Sequence, residues 1–338
     1  VSSEKPVLSV LGELVVDLLP DLGAGAGPEG TAPRYVARPG GNALNVAVAA
    51  GRLGVPVRLL ARLGAGPLAP GLRRHAELAG VDPGGLVPAV EPVSLAVVGL
   101  RPDGSPHFGF HVLGAADWQW TDDELAAVVP PGTAVLHVGS ISSWTPPGCE
   151  AIARLVEKVA ADGTALVSVD PNIRPVLADG PVGTALGNSS TEVRARLDRL
   201  LARADVVKLS TEDLAWLEPD AVDDLDGTAL RWADRGAALV LLTDGAAPLR
   251  VARPGRALLY REPPRVPVAD AVGAGDSLAA GLFAGLLGAG VTTRRQLEEL
   301  PDEELLPILD DAVLVAALTC TRVGADPPTR DDLAAVRR

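Results

Sequence analysis

The run Val268-Ala-Asp-Ala-Val-Gly-Ala-Gly-Asp-Ser-Leu-Ala-Ala-Gly281 carries the strongest chemical signal in the chain. Gly273, Ala274 and Gly275 let bare backbone approach a ligand, and the apolar residues that follow predict a helix. The first amides of a helix lack intrahelical acceptors and so form a natural anion site. Asp276 falls in that first turn, where a carboxylate can take a proton from a hydroxyl attacking phosphorus. The same carboxylate would also offset the helix dipole, worth ~0.3–1 kcal/mol, and local spacing does not separate the two roles.

Two further segments could meet a ligand. In Arg38-Pro-Gly-Gly-Asn-Ala-Leu-Asn45, Gly40 and Gly41 bring backbone close, while Asn42 and Asn45 offer amides suited to sugar hydroxyls. A glycine turn with Asn42 capping a helix explains the same residues. In Asp170-Pro-Asn-Ile-Arg-Pro175, Asn172 and Arg174 could reach a polyol or a phosphate, or simply make a proline-bracketed turn.

The elements that must position these residues alternate in type. Leu8–Val16 predicts a buried strand running into Asp17, and Ala43–Leu53 a helix of small residues stopped by Gly54. Val57, Leu59, Ala61 and Leu63 alternate with Arg58 and Arg62, which predicts a half-exposed strand. Helices follow at Leu72–Ala79, Ile152–Val159 (to Gly163), Val193–Leu201, Ala279–Leu287 and Ile308–Leu318, with strands at Ala165–Val169, Val206–Leu209 and Ala237–Thr243. Strand alternating with helix implies an α/β fold, a doubly wound and mostly parallel sheet covered on both faces. Ligands then sit at the carboxyl ends of the strands. Ser94–Leu100 and His107–Val112, joined around Asp103-Gly104, read instead as a β-hairpin, and Tyr35–Arg38 as another extended piece. These segments, about 32–40 and 93–113, predict a small β lid inserted in a single domain spanning 1–338.

Composition narrows the partners. The net charge is −13 over 338 residues, which disfavours nucleic acid and anionic membrane. Cys149 and Cys320 cannot make a disulfide framework, and the four histidines (His75, His107, His111, His137) have no ligand spacing. No run reaches the ~18 apolar residues of a membrane span, and Val1-Ser-Ser-Glu-Lys-Pro6 lacks a signal-peptide pattern, so a soluble, cytoplasmic protein is expected. Trp118 and Trp120 read as packing residues.

Taken together, Gly40-Gly41 with Asn45 and the run Asp270 to Gly281 resemble the two signatures of the PfkB (ribokinase-like) family of carbohydrate kinases. The resemblance extends from about Leu8 to Thr321-Arg-Val-Gly-Ala325. Gly12-Glu-Leu-Val-Val-Asp17 and Asp170-Pro-Asn-Ile-Arg174 are most similar to fructokinases. It implies transfer of the γ-phosphoryl of ATP to a sugar hydroxyl, with O6 of D-fructose the expected acceptor and ribose, 2-keto-3-deoxygluconate or adenosine the alternatives. Asp276 would be the base, and the amides of Gly273, Ala274 and Gly275 the anion hole. Asp17, Gly41, Asn45, Asn172 and Arg174 would line the sugar side, and Thr243 and Gly245 the nucleotide side. Asp270 would help to hold K⁺. Lids of this kind can pair two subunits, which makes a homodimer an expectation too.

Two departures stand out. Where the family often carries Asn-x-x-Glu acting on Mg²⁺ and phosphate, this chain has Ser210-Thr-Glu-Asp213, so Ser210 with Asp213, or Glu212, would take that role. Ser-x-x-Asp is equally nearly a capping box. Gly64-Ala-Gly66 lacks the acid common there, and Gly64-Ala-Gly-Pro-Leu-Ala69 with Asp82 fits a dinucleotide fingerprint, the mark of a nicotinamide-dependent oxidoreductase. A sugar-binding regulator without catalysis is the non-enzyme alternative, and the intact Asp276 argues against it.

Overall fold

Neighbouring residues of one strand point into different cores. Along β1 (Val7–Leu11), Val10 joins an apolar cluster with Leu44, Leu59 and Phe283, whereas Leu11 joins another with Leu60, Leu136 and Trp144. A strand buried on both faces belongs inside a sheet covered on both sides. The computed structural model describes residues 6–21, 34–100 and 106–337. Within them the strands after β1 are β2 (Val15–Pro20), β3 (Tyr35–Gly40), β4 (Val57–Ala65), β5 (Leu86–Pro92), β6 (Ser94–Leu100), β7 (Pro106–His111), β8 (Thr133–Gly139), β9 (Leu166–Asp170), β10 (Val206–Ser210), β11 (Leu239–Thr243), β12 (Leu249–Ala252) and β13 (Leu259–Arg261).

A 9-stranded sheet runs in the order β13-β12-β11-β10-β9-β8-β1-β4-β5. It is parallel except where β12 meets β11 and β13. A separate 4-stranded sheet, β3-β2-β6-β7, pairs β2 with β3 and β6 with β7 antiparallel, and β2 with β6 parallel. The expected β6–β7 hairpin is present; its Asp103-Gly104 turn lies outside the described residues, as do residues 32 and 33.

Four readings need correction. Leu8–Val16 is not one strand. The chain leaves the large sheet after Leu11 and enters the small one at Val15, so Asp17 sits within β2 rather than at the end of the first strand. β4 is not half-exposed, because Arg62 is buried and gives its guanidinium to Gln119 O at 2.5 Å, with Glu91 and Glu124 nearby. The helix expected from Ile308 begins six residues earlier and spans Asp302–Cys320, whereas the one expected after Gly273-Ala-Gly275 does open there, at Ala274. The dinucleotide reading fails on geometry. Asp82 pairs with Arg58 at the start of β4, at 2.7 Å, while Gly64 lies at its other end, about 20 Å away at ~3.3 Å per residue.

Among the described residues no helix is long and apolar enough to cross a membrane. The tail returns to the front of the molecule. Arg330 donates to Leu53 O at 2.9 Å, just past the helix Asn42–Arg52, and Arg52 donates to Pro327 O at 2.6 Å and pairs with Asp326.

Candidate active site

Gly273 caps the helix Ala274–Gly288 with φ 77, a left-handed conformation that a side chain would make costly. Among the described residues the amides of Gly273 and Gly275 meet no protein acceptor, while Ala274 N reaches back to Ala271 O at 3.3 Å. The third residue of this helix is Asp276, 9% exposed. Its Oδ1 accepts from Asn42 Nδ2 at 2.7 Å and its Oδ2 from Asn45 Nδ2 at 2.8 Å. Burial pushes the carboxyl up to about 6; Asp170 pushes the same way, while the two amides and Lys208 pull against it. A base that titrates near neutrality is suited to accept a proton from a hydroxyl.

Asn42 is therefore not the cap of its helix. Gly41 occupies that position with φ 103, and a Cβ there would stand 2.5 Å from Glu13 O. Asn45 gives its amide to Asp276, so the pair anticipated near a sugar first of all grips the carboxylate.

Beneath the helix start lies a buried ion pair. Lys208, on β10, donates to Asp170 Oδ2 at the end of β9 at 2.7 Å, and a Cβ on Gly275 would be 3.1 Å from its ammonium. Burial alone would lower the Lys208 pKa, but Asp170 together with Asp213 and Asp276 outweighs it and the group stays charged. The other oxygen of Asp170 and Asn42 Oδ1 are buried without partners.

Asp17 stands on β2 across from Arg38 and Ala96. Gly40 leaves room for it, since a Cβ there would fall 2.2 Å from Asp17 Oδ2. Burial lifts the Asp17 carboxyl to about 6 against the pull of Arg174. Arg174 is exposed, and Asn172 takes φ 40 in the loop between them and β9. That loop is anchored by Asp213, whose Oδ1 accepts Ile173 N at 2.7 Å. Asp213 Oδ2 closes a complete capping box with Ser210, accepting its N at 2.9 Å and Oγ at 2.7 Å. Both oxygens are engaged, whereas Glu212 in the same turn is exposed.

Thr243 ends β11 beside Ser210, with its hydroxyl on Leu209 O at 3.3 Å, and Gly245 turns the chain at φ 52. Asp270 accepts Val272 N at 3.1 Å and Gly324 N at 2.8 Å, fastening the glycine run to the tail. No group of three His, Cys, Asp or Glu among the described residues could hold a metal ion. Lys208, Glu13 and Asp117 escaped the sequence reading, because their partners are far away in the chain.

A helix start whose glycine amides meet no acceptor among the described residues, a buried carboxylate in its first turn and the strand-end pair Asp170–Lys208 beneath it suit a phosphotransferase acting on a hydroxyl. The chain matches the pfkB family carbohydrate kinase description over residues 6–332 and belongs to that family. It is 35% identical over 331 residues to a fructokinase of Klebsiella pneumoniae, covering 96% of this chain and 97% of the relative. Its fold is similar to the crystal structure of a Xylella fastidiosa fructokinase with bound ATP (TM-score 0.83, 27% identity, 99% of each chain). A fructokinase double mutant of Vibrio cholerae, solved with fructose, ADP and potassium ion, superposes with TM-score 0.77 at 27% identity over 96% of this chain and 95% of that one.

Proposed function

We propose that this sugar kinase transfers the γ-phosphoryl group of ATP to O6 of D-fructose. The observation that carries the reading is Asp276, a carboxylate buried at a helix start, held by two amides and lifted to about 6. It takes the proton of the sugar hydroxyl as the oxygen attacks phosphorus and ADP leaves. The amides of Gly273 and Gly275, which meet no protein acceptor among the described residues, stabilise the transferring group, and Ala274 N would join them only on leaving Ala271 O. Asp17, Gly41, Asn45, Asn172 and Arg174 orient the sugar, and Thr243 and Gly245 border the nucleotide. The relatives named above support fructose and ATP as the pair.

Mg²⁺ carried in with ATP would neutralise charge on the phosphates. Glu212 is the exposed carboxylate available on that side; Ser210 and Asp213 act through the helix cap. Asp270 is the residue toward a K⁺ ion. The 4-stranded sheet acts as a lid that excludes water. Its exposed Tyr35, Val36 and Phe108, the last stacked on Phe110 at 6.1 Å, support pairing with a second copy. A panel of sugars with ATP, read by ADP release, tests the reading. Fastest turnover of fructose is expected, and faster turnover of ribose, 2-keto-3-deoxygluconate or adenosine would overturn the choice of sugar.

A further inference from the structure

Two strands leave the large sheet for the small one, and one carboxylate meets both. The chain passes from β1 to β2 through Gly12-Glu13-Leu14, and from β5 to β6 through Val93. It returns from β7 through the short 3₁₀ helix Ala116–Trp118, which carries Asp117. Asp117 is 1% exposed. Its Oδ1 accepts Leu14 N at 2.7 Å across 103 residues, and its Oδ2 accepts the Ser94 hydroxyl at 2.5 Å across 23. Three crossing segments meet on this side chain.

We propose that Asp117 is a positioning residue, clamping β2 and β6 where they leave the large sheet and so setting where Asp17 stands relative to Asp276. The proposal rests on the reading of Asp17 as a sugar ligand. The register carries the argument. Val15 pairs with Ser94 and Asp17 with Ala96, so a shift at the clamp passes along two paired strands to the Asp17 carboxylate. The neighbouring Glu13 fixes the other side of the crossing. Its Oε2 accepts the Ser142 hydroxyl at 2.7 Å, and its Oε1 accepts the amide of Asn42, the residue that holds Asp276. The two buried acids thereby join the strand that carries Asp17 to the helix that holds Asp276. Burial, with Glu13 adding to it, lifts the Asp117 carboxyl to about 7, so an uncharged isostere can keep both contacts.

Ser94→Ala removes the β6 half of the clamp and alters no group assigned to binding or reaction. It is expected to raise the sugar KM about tenfold, with ATP KM and kcat within about twofold of normal, the loss that follows from weakening one hydrogen bond to a charged group. Amide exchange across β2 is expected to quicken while that of β1 does not. Asp117→Asn retains an oxygen for Leu14 N and a nitrogen for Ser94 Oγ, and is expected to keep the sugar KM within about threefold of wild type. An unchanged sugar KM in Ser94→Ala, with or without a lower Tm, would overturn the proposal. So would a loss in Asp117→Asn as large as that in Ser94→Ala. Asp17→Ala, run beside them, separates the two readings. A normal sugar KM there overturns the assignment of Asp17 and the clamp with it, whereas a raised one there and a normal one in Ser94→Ala overturns the clamp alone.

Discussion

The side-chain amide of Asn45 donates to Asp276 at 2.8 Å across 231 residues of chain. This bond brings the two sequence signatures together on one carboxylate. With Asn42 on the other oxygen, it fixes the carboxylate plane and restrains the rise in its pKa.

Asp276→Asn should lower kcat by ~10²–10⁴, the usual contribution of a general base, with a much smaller change in sugar KM. Its Tm should not fall. The substitution removes a charge that burial disfavours, and Asn42 Oδ1, buried without a partner, can turn to accept from the new amide. A mutant keeping more than about a tenth of wild-type kcat would contradict the base role.

The pH profile follows from the same group. In the proposed step Asp276 reacts as the carboxylate, and it and Asp17 are both lifted to about 6, so kcat/KM should drop by at least about tenfold per pH unit below that value and level off above it. Asn45→Ala removes a hydrogen bond that lowers the Asp276 pKa, so the acid limb should move to higher pH. An acid limb left in place would show that Asp276 is not the group titrating.

Asp213 and Glu212 should separate cleanly. Asp213→Ala breaks the capping box and releases Ile173 N, which should cost about 3 kcal/mol in urea unfolding and raise the sugar KM through Asn172 and Arg174. The Mg²⁺ concentration for half-activity should not change. Glu212→Ala should leave stability nearly unchanged and raise that Mg²⁺ requirement. Identical Mg²⁺ titrations for Glu212→Ala and wild type would remove Glu212 from the phosphate side.

Lys208→Met leaves Asp170 charged and unpaired in the interior, which should cost ~3–5 kcal/mol near pH 8. Since Lys208 also pulls the Asp276 pKa down, the acid limb should again shift upward. A loss below about 1 kcal/mol in urea unfolding would refute the ion-pair account.

Local chemistry was the part legible in the sequence. Gly273-Ala-Gly-Asp276 announces a helix start with an acid inside it, and Gly163 the end of the helix Gly148–Asp162, because each signal lies within a few residues of its structural cause. The split between β1 and β2 was hidden, since Leu8–Val16 reads as one apolar run and only Gly12, a Cβ on which would stand 2.7 Å from Ala43 Cβ, marks the departure. Lys208 gave no sign either. A lone lysine in an apolar strand finds its meaning in Asp170, 38 residues earlier. Asp213 was half legible, as its partnership with Ser210 is local while that with Ile173 spans 40 residues.

The closure of the tail on the helix Asn42–Arg52 has a consequence for synthesis. That helix presents both asparagines to Asp276, and its far end is secured by Arg330 and by Pro327 and Asp326. A nascent chain still lacking residues beyond about 325 can build the large sheet, yet it leaves the carboxylate's holder loose at one end. Phosphoryl transfer should accordingly appear only once the residues beyond about 325 have been made and docked, after the strands have paired.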